Sequence, residues 1–533
     1  MRVLGIEGTA WAASAALFDA ETDEVSIETD AYLPESGGIH PREAAEHMRE
    51  AIPRVVETVL KRADGIDAVA FSRGPGLGPC LRIAGTAARA LSLSLDVPLV
   101  GVNHMLAHAE IGRHRSGFDS PLCLNASGAN AHVLSFANGR YRILGETMDT
   151  GIGNALDKFT RHLDWSHPGG PKIERAAREG EYVELPYVVT GMDFSFSGIM
   201  SAAKQAIDDG VPVEDVCFSL QETTFSMLTE VTERALSLTS TTELVLGGGV
   251  GQNARLQEML AEMCAERGVE FFAPEDRFLR DNAGMIAVLG AKMAMAGDTI
   301  EVTKSSIDSG YRPDQVPVTW REAHAYTGRE SNAETQLRGA EAVVEIERDR
   351  VIKRRLPKSY RHPALDERLR RERVVEEARL TSDARRQGVP TPVVYEVDTQ
   401  ETQLIFERVG EADLAAVLGS DGRSEEGIHH VRAVARHLTT LHEAGIVHGD
   451  PTTRNVRVAD TGSRTYLIDF GLGYYTNGIE DYAMNLHVFE QSLSGTATDP
   501  EPLCETFEER YAEAGNRDVI ARLREIEGRG RYQ

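Results

Sequence analysis

Short apolar runs and longer amphipathic stretches alternate along the first three hundred residues, which predicts an α/β domain. The run VLGIE at 3–7 enters a polar glycine turn, GTAW. A second apolar strand, AASAALF, follows, and EVSIETDAYL at 24–33 reads as a third. The stretch LCLNASGANAHVLSFANGRYRILGETMDT at 122–150 repeats that order of strand, glycine turn, strand, turn and strand at nearly the same lengths. The repeat predicts two halves facing each other across a cleft. Their glycine-hydroxyl loops, EGTA and NASGAN, would meet there, where backbone N–H groups can cradle phosphate oxygens. Taken singly, each loop reads equally well as an ordinary hairpin turn.

Beyond Arg312 the periodicity lapses into a polar stretch, and a linker is expected at 326–338 between domains at 1–325 and 339–533. The second region opens with strands, AEAVVEIERDRVIKRRL, and then becomes helical and charged. A helix over 363–387, rich in Arg and Glu, reads mainly as a solvated face.

A chain of 533 residues is too long for one core, in keeping with this division. The net charge of −26 comes with only eight lysines, so arginine carries most of the positive charge. Such a surface suits a cytoplasm of very high salt, where carboxylate repulsion is screened within a few ångströms. The five cysteines are scattered and form no C-x-x-C, which argues against a disulfide framework and a zinc knuckle. With no leader pattern and no apolar run able to cross a bilayer, a soluble, cytoplasmic protein without membrane attachment is expected.

Two regions carry chemistry. In the second, HGDPTTRN at 448–455 and LIDFG at 467–471 place Asp450, Asn455 and Asp469 in the order used for phosphoryl transfer. Lys353 in VIKRR supplies the cation for phosphates, and Glu377 in RVVEEARL is its natural partner. The pattern also departs from protein kinases. A G-x-G-x-x-G loop is missing and Gly339 alone stands in its place; HGD replaces HRD; no A-P-E follows. This reads as a minimal kinase-like ATPase fold using ATP and Mg, with little room for a peptide substrate. In the first region, VNHMLAHAE puts His104 and His108 four residues apart, on one face of a helix. Two imidazoles so spaced can chelate a metal, and Asp281 in RDNAGMIA is a candidate third ligand. A surface histidine pair and a helix N-cap are the plainer alternatives. Met105 occupies the position of the general base in H-E-x-x-H, which disfavours a metallopeptidase. GIGNALDKF with Asp157, HPGGPKIE with Gly170 and Glu174, and LVLGGGVGQNARL with Asn253 look like loops of a nucleotide cleft.

The motifs LGIEGTA, NHMLAHAE, SGAN, GNALDKF, HPGGPKIE, FSFSG, GGGVGQNARL and RDNAGMIA resemble the universal tRNA threonylcarbamoyladenosine-synthesis family, whose fold is that of actin and sugar kinases. The motifs VIKRRLPKSYRHPALDERLR, GVPTPVVYEVD, HGDPTTRN and LIDFG resemble its small kinase-like partner subunit. Together they look like an archaeal fusion of two subunits of the KEOPS complex. The resemblance implies a duplicated actin-like domain joined to a two-lobe kinase-like ATPase domain. The implied reaction transfers the threonylcarbamoyl group of threonylcarbamoyl-AMP to N6 of the adenosine next to the anticodon, in tRNAs reading codons that begin with A. It further implies iron or zinc held by positions matching His104, His108 and Asp281. Adenylate contacts are implied at Thr9, Ser127, Asn130, Asp157, Gly170, Glu174 and Asn253. Implied partners are tRNA, a small dimerising subunit on the transferase domain, a small subunit on the kinase-like domain, and a separate adenylate-making enzyme. Asn125 stands where the family commonly has a tyrosine ligand, and Asn485 where an aspartate is usual. A protein kinase with a non-catalytic actin-like domain is the competing reading. The tail RLREIEGRGRYQ offers Arg522, Arg524, Arg529 and Arg531 as a phosphate-binding cluster or as a disordered end.

Overall fold

The computed structural model describes residues 1–533 except 33, 35–38, 138, 323–335, 421–424, 460–463, 498 and 533. The chain divides into two compact units. The first comprises residues 1–329 together with Ser359–His362; the second comprises residues 330–358 and 363–532. The expected linker at 326–338 lies largely outside the described residues.

The first unit opens with β1 (Arg2–Glu7), β2 (Ala12–Asp19) and β3 (Glu24–Ala31), then α1 (Pro41–Leu60), β4 (Ala68–Gly74), α2 (Gly78–Leu95), β5 (Leu99–Asn103) and α3 (His104–Ser116). The order then recurs as β6 (Leu122–Ala126), β7 (Ala131–Ala137) and β8 (Arg140–Glu146), followed by α4 (Ile152–His162) and α5 (Gly170–Ala176). A small hairpin of β9 (Val189–Thr190) and β10 (Asp193–Phe194) interrupts the second round before α6 (Ser197–Asp208) and α7 (Val213–Thr239). It closes with β11 (Glu243–Gly247), α8 (Ala254–Arg267), β12 (Glu270–Phe272), α9 (Asp276–Leu279) and α10 (Ala283–Met295). The sheets run β3-β2-β1-β4-β5 and β8-β7-β6-β11-β12. In each, the first three strands are antiparallel and the last two lie parallel to the first. The repeat read from the sequence is therefore a repeat of topology.

The last helix of each repeat packs against the other repeat's sheet. Helix α3 lies on β11 and β6, and α10 lies on β1, β2 and β4. Glycines allow the close approach: a Cβ on Gly5 of β1 would sit 2.4 Å from the Ala283 carbonyl oxygen of α10. Both helices are buried in one shared core, which holds Leu106, Ala107 and Ile111 of α3 and Ile286 and Ala287 of α10 together with Val3, Ala70 and Val245 of the two sheets. Nearly the whole circumference of each is buried, with His104, His108 and Glu110 the polar exceptions among the buried residues of α3, as expected of helices enclosed by two sheets. Tyr360, in Ser359–His362, is fully buried in the core beneath the second sheet, and its hydroxyl donates to Glu233 at 3.1 Å.

The second unit begins with an antiparallel sheet. Its strands are β13 (Gln336–Arg338), β14 (Ala342–Ile346), β15 (Arg350–Arg355), β16 (Val394–Asp398) and β17 (Gln403–Glu407), in the order β13-β14-β15-β17-β16. Helix α11 (Pro363–Arg386) packs on it. Then come β18 (Ala412–Asp413), α12 (Leu414–Ser420), α13 (Glu425–Glu443), β19 (Ile446–Val447), β20 (Val456–Val458), β21 (Thr465–Leu467) and β22 (Tyr474–Tyr475). Helices α14 (Ile479–Thr496), α15 (Glu501–Ala514) and α16 (Arg517–Tyr532) complete it. The tail is thus helix. Arg522 pairs with Glu480 at 2.7 Å and with Glu525 at 2.6 Å, while Arg524 pairs with Glu508 at 3.1 Å. These two arginines are paired with acidic neighbours; the side chains of Arg529 and Arg531, the rest of the expected cluster, lie outside the described set. No described helix is long and apolar enough to cross a membrane.

Candidate functional site

At the N-terminus of α3 the Asn103 side chain accepts hydrogen bonds from the N–H groups of Met105 and Leu106, both at 3.0 Å. That cap starts the helix at His104 and puts His104 and His108 one turn apart, their ring centroids 4.9 Å from each other. Asp281 immediately precedes Asn282, which caps α10 by accepting from Met285 N–H. The cap is therefore Asn282, and Asp281 is left to face the imidazoles. Its Oδ1 lies 3.3 Å from His104 Nε2 and 3.5 Å from His108 Nε2. Among the described residues these three form the one cluster of metal-ligating groups, with all ligand atoms within 4.8 Å of one another.

The arrangement fits a cation. Ligands about 2.0–2.1 Å from a tetrahedral ion stand roughly 3.3–3.4 Å apart, close to the spacings found. Neither nitrogen of buried His108 has a hydrogen-bond partner. Burial pushes the His108 imidazole down toward its neutral, ligating form. Burial works the same way on His104, but the Glu7 and Asp281 carboxylates outweigh it and raise that imidazole to about 10. For Asp281 burial pulls upward, yet the two imidazoles hold it well below the usual carboxylate range. Asn125, on β6, is fully buried and close by: its Oδ1 has no hydrogen-bond partner and its Nδ2 lies 3.8 Å from Met105 Sδ.

The loops around this centre tie to one another. Thr9 N–H donates to Glu7 Oε1 at 2.7 Å. Ser127 and Asn130 close their own turn, with Asn130 N–H donating to Ser127 Oγ at 3.1 Å, and that turn seats the start of α4 through Asn154 N–H on Gly128 O. Asp157 accepts from Gly169 N–H at 2.7 Å and pairs with His167 at 3.0 Å, fixing the HPGG loop. Gly170 begins α5, where an added Cβ would meet open space. Glu174 accepts from Ala254 N–H at 3.1 Å, and Asn253 caps α8. Between them runs the glycine turn 247–253. Gly248 has φ +85°, and a Cβ there would fall 2.3 Å from the Ala126 carbonyl oxygen. Sequence reasoning missed Glu7. Its one available signal was a carboxylate ending an otherwise apolar, buried strand.

In the second unit, Lys353 Nζ on β15 lies 2.7 Å from Glu377 Oε1 on α11 and 2.7 Å from Asp469 Oδ1. Arg355 takes the other Glu377 oxygen at 2.8 Å. Burial alone would lower the Lys353 ammonium, but Asp469 and Glu377 raise it, so it is held charged. Asp469 has φ +64°, the left-handed turn that aims its carboxylate at this group. Asn455 Nδ2 donates to Asp450 Oδ2 at 2.8 Å. Asn455 O accepts from Ile468 N–H, which joins the two motifs. Asn485 accepts the His448 N–H at 3.4 Å and contacts His442 at 3.1 Å, occupying the usual aspartate's place beneath the loop. Gly339 N–H bonds Ala342 O at 2.9 Å in a tight hairpin, in place of a broad glycine-rich flap.

The family model TsaD: tRNA N6-adenosine threonylcarbamoyltransferase matches residues 22–288, and that of the lipopolysaccharide kinase (Kdo/WaaP) family matches 320–493. Proteins named probable bifunctional tRNA threonylcarbamoyladenosine biosynthesis protein align over essentially full length. The one from Halobacterium salinarum is 68% identical, covering 100% of this chain and 99% of its own. That from Haloarcula marismortui is 65% identical with 100% of each chain covered, and that from Methanospirillum hungatei is 51% identical with 99% of each. The solved structure of full-length HypF in its phosphate- and nucleotide-bound form aligns over 55% of both chains at TM-score 0.40 and 13% identity, too loosely to add to the assignment. With identities of this size over both units, the chain belongs to the family of bifunctional tRNA threonylcarbamoyladenosine biosynthesis proteins, a tRNA threonylcarbamoyltransferase joined to a kinase-like domain.

Proposed function

We propose that the first unit takes threonylcarbamoyl-AMP as donor, beside a cation held by His104, His108 and Asp281. The observation that carries this is the convergence of two side chains from α3 with one that immediately precedes the cap of α10, linked through Glu7 to the Thr9 turn. In the transfer, N6 of the tRNA adenosine attacks the carbamoyl carbon and a C–N bond forms. The bond from that carbon to the phosphate oxygen breaks, AMP leaves with the electron pair, and the N6 proton passes to solvent. An iron or zinc ion held by His104, His108 and Asp281 would supply Lewis acidity to the transfer. The chain's own groups position the donor. The Thr9 turn and the Ser127–Asn130 turn meet phosphate oxygens with backbone N–H groups other than those of Thr9, Ser127 and Asn130, which hold the turns themselves in shape. Asp157 holds the HPGG loop so that Gly170 lies open to the nucleotide, and Glu174 with Asn253 steadies the glycine turn next to it. Asn125 is a candidate further ligand through its free Oδ1.

The second unit binds ATP with Mg, in this reading, and hydrolyses it in support of the transfer. Lys353, kept extended by Glu377, meets the phosphates; Asp469 and Asn455 hold the Mg; Asp450 orients the attacking hydroxyl or water; the Gly339 hairpin covers the nucleotide. The proposed setting is the KEOPS complex, with a small dimerising subunit on the transferase domain, another small subunit on the kinase-like domain, and an upstream adenylate-making enzyme.

Transfer of labelled threonine to unmodified tRNA, assayed with those partners, bicarbonate and ATP, tests the reading. His104→Ala abolishes transfer and leaves ATP hydrolysis intact; Asp469→Ala abolishes hydrolysis. Undiminished transfer by the first variant would remove the cation from the mechanism. Undiminished hydrolysis by the second would remove the kinase-like site.

A further inference from the structure

Glu7 is fully buried at the end of β1, and its two carboxylate oxygens serve two different elements. Oε2 lies 3.1 Å from His104 Nδ1, and Oε1 accepts the Thr9 N–H at 2.7 Å. A carboxylate offers only acceptors, so each contact requires a hydrogen on the partner. A hydrogen held on His104 Nδ1 by Glu7 makes Nε2, which faces Asp281 at 3.3 Å, the nitrogen that gives up its hydrogen and turns a lone pair to a cation when one binds. The same carboxylate thus selects the imidazole tautomer able to bind a cation and sets the turn that enters β2.

We propose that Glu7 is a positioning residue that couples cation binding to the conformation of the Thr9 turn, so that loading the ion orders the segment facing the donor's phosphate. The proposal rests on the cation reading of His104, His108 and Asp281. Its logic can be taken apart by one near-isosteric change, because an amide has one acceptor and one donor where the carboxylate has two acceptors. In Glu7→Gln, if the amide oxygen stays on Thr9 N–H, its NH2 faces His104 Nδ1. Nδ1 must then accept, the hydrogen moves to Nε2, and the ligating lone pair is lost. If the amide turns over, His104 keeps its tautomer, but two donors face each other at Thr9 and the turn is released. Glutamine can keep the Thr9 turn or the ligating tautomer of His104 but never both.

The test is Co²⁺ binding to the full chain, followed by visible absorption and chelator competition, with hydrogen exchange of the peptide covering 7–12 and the melting temperature of the metal-free protein measured alongside. In the wild type, Co²⁺ should bind and slow exchange in that peptide. Glu7→Gln should bind Co²⁺ about 10–100-fold more weakly, the usual effect of removing a group that orients a ligand, or should bind it without slowing exchange. Because Glu7→Gln could weaken the fold, Glu7→Asp serves as a second variant: it keeps the charge, but its shorter side chain cannot reach both partners, so it too must weaken binding or lose the exchange effect. Wild-type affinity and wild-type protection in both variants would overturn the role of Glu7 while leaving the cation site standing. Failure of the wild type to bind Co²⁺ would overturn the site itself, and this proposal with it.

Discussion

His104 and His108 were legible in the sequence because an i, i+4 pair needs only a helix to put both rings on one face. Asp281 was legible only as a candidate: its competing role as a helix cap is filled instead by the next residue, Asn282. Glu7 was not legible, since a single charge ending a strand gives no sign of which ring it meets nearly a hundred residues later. At this scale the conformation of Gly248 is a sharp constraint beside the site. Its φ of +85° and the 2.3 Å approach to Ala126 O leave no place for a side chain. Gly248→Ala is expected to destabilise the first unit by about 2 kcal/mol or more and to cut transfer sharply, because the backbone that must shift adjoins Asn125 and Ser127. Thermal melts and the transfer assay check this; a variant as stable and active as the wild type would contradict it.

Among the elements, the strand repeat could be read from hydrophobic alternation, and both copies form as expected. The crossing of α3 and α10 could not. A helix buried on all sides gives no stripe to show which sheet receives it, and the deciding feature is a set of small residues, Gly5 against Ala283 and Gly112 against Val245. Gly5→Val should therefore act at a distance: by pushing α10 off β1 it moves Asp281, and Co²⁺ affinity should fall along with stability, the latter by about 3 kcal/mol. Loss of stability with unchanged Co²⁺ affinity would show that the helix start is held independently of the strand. In the second unit the kinase-like motifs were legible from their order and spacing, whereas the carboxylate Arg355 shares with Lys353 was not, because only the β15 register places both residues beside Glu377.

For the whole molecule, charge and buried histidines set the response to solvent. A net charge of −26 repels itself, so melting temperatures should rise as KCl is increased from 0.1 M to 2 M; a flat or falling trend would reject a high-salt adaptation. The second unit should be sensitive to acid. His437, His442 and His448 are each pushed down to about 4, by burial first. An imidazole whose folded pKa lies below its unfolded value of 6.5 binds its proton more readily once the chain unfolds. Its contribution is thus complete above pH 6.5 and is lost as pH falls toward 4. Calorimetry at pH 7.5 and pH 5 should show the transition that shifts with added ATP moving down, by on the order of 3 kcal/mol of stability, while an unmoved transition would contradict the assignment. The exchanged helices carry a last consequence. Because two of the proposed ligands begin one of them and the third precedes the other, an ion bound between them would be a rivet through both halves of the first unit. Prising the halves apart must stretch its coordination sphere, so the tightness with which that ion is gripped becomes a gauge of how far the cleft has opened.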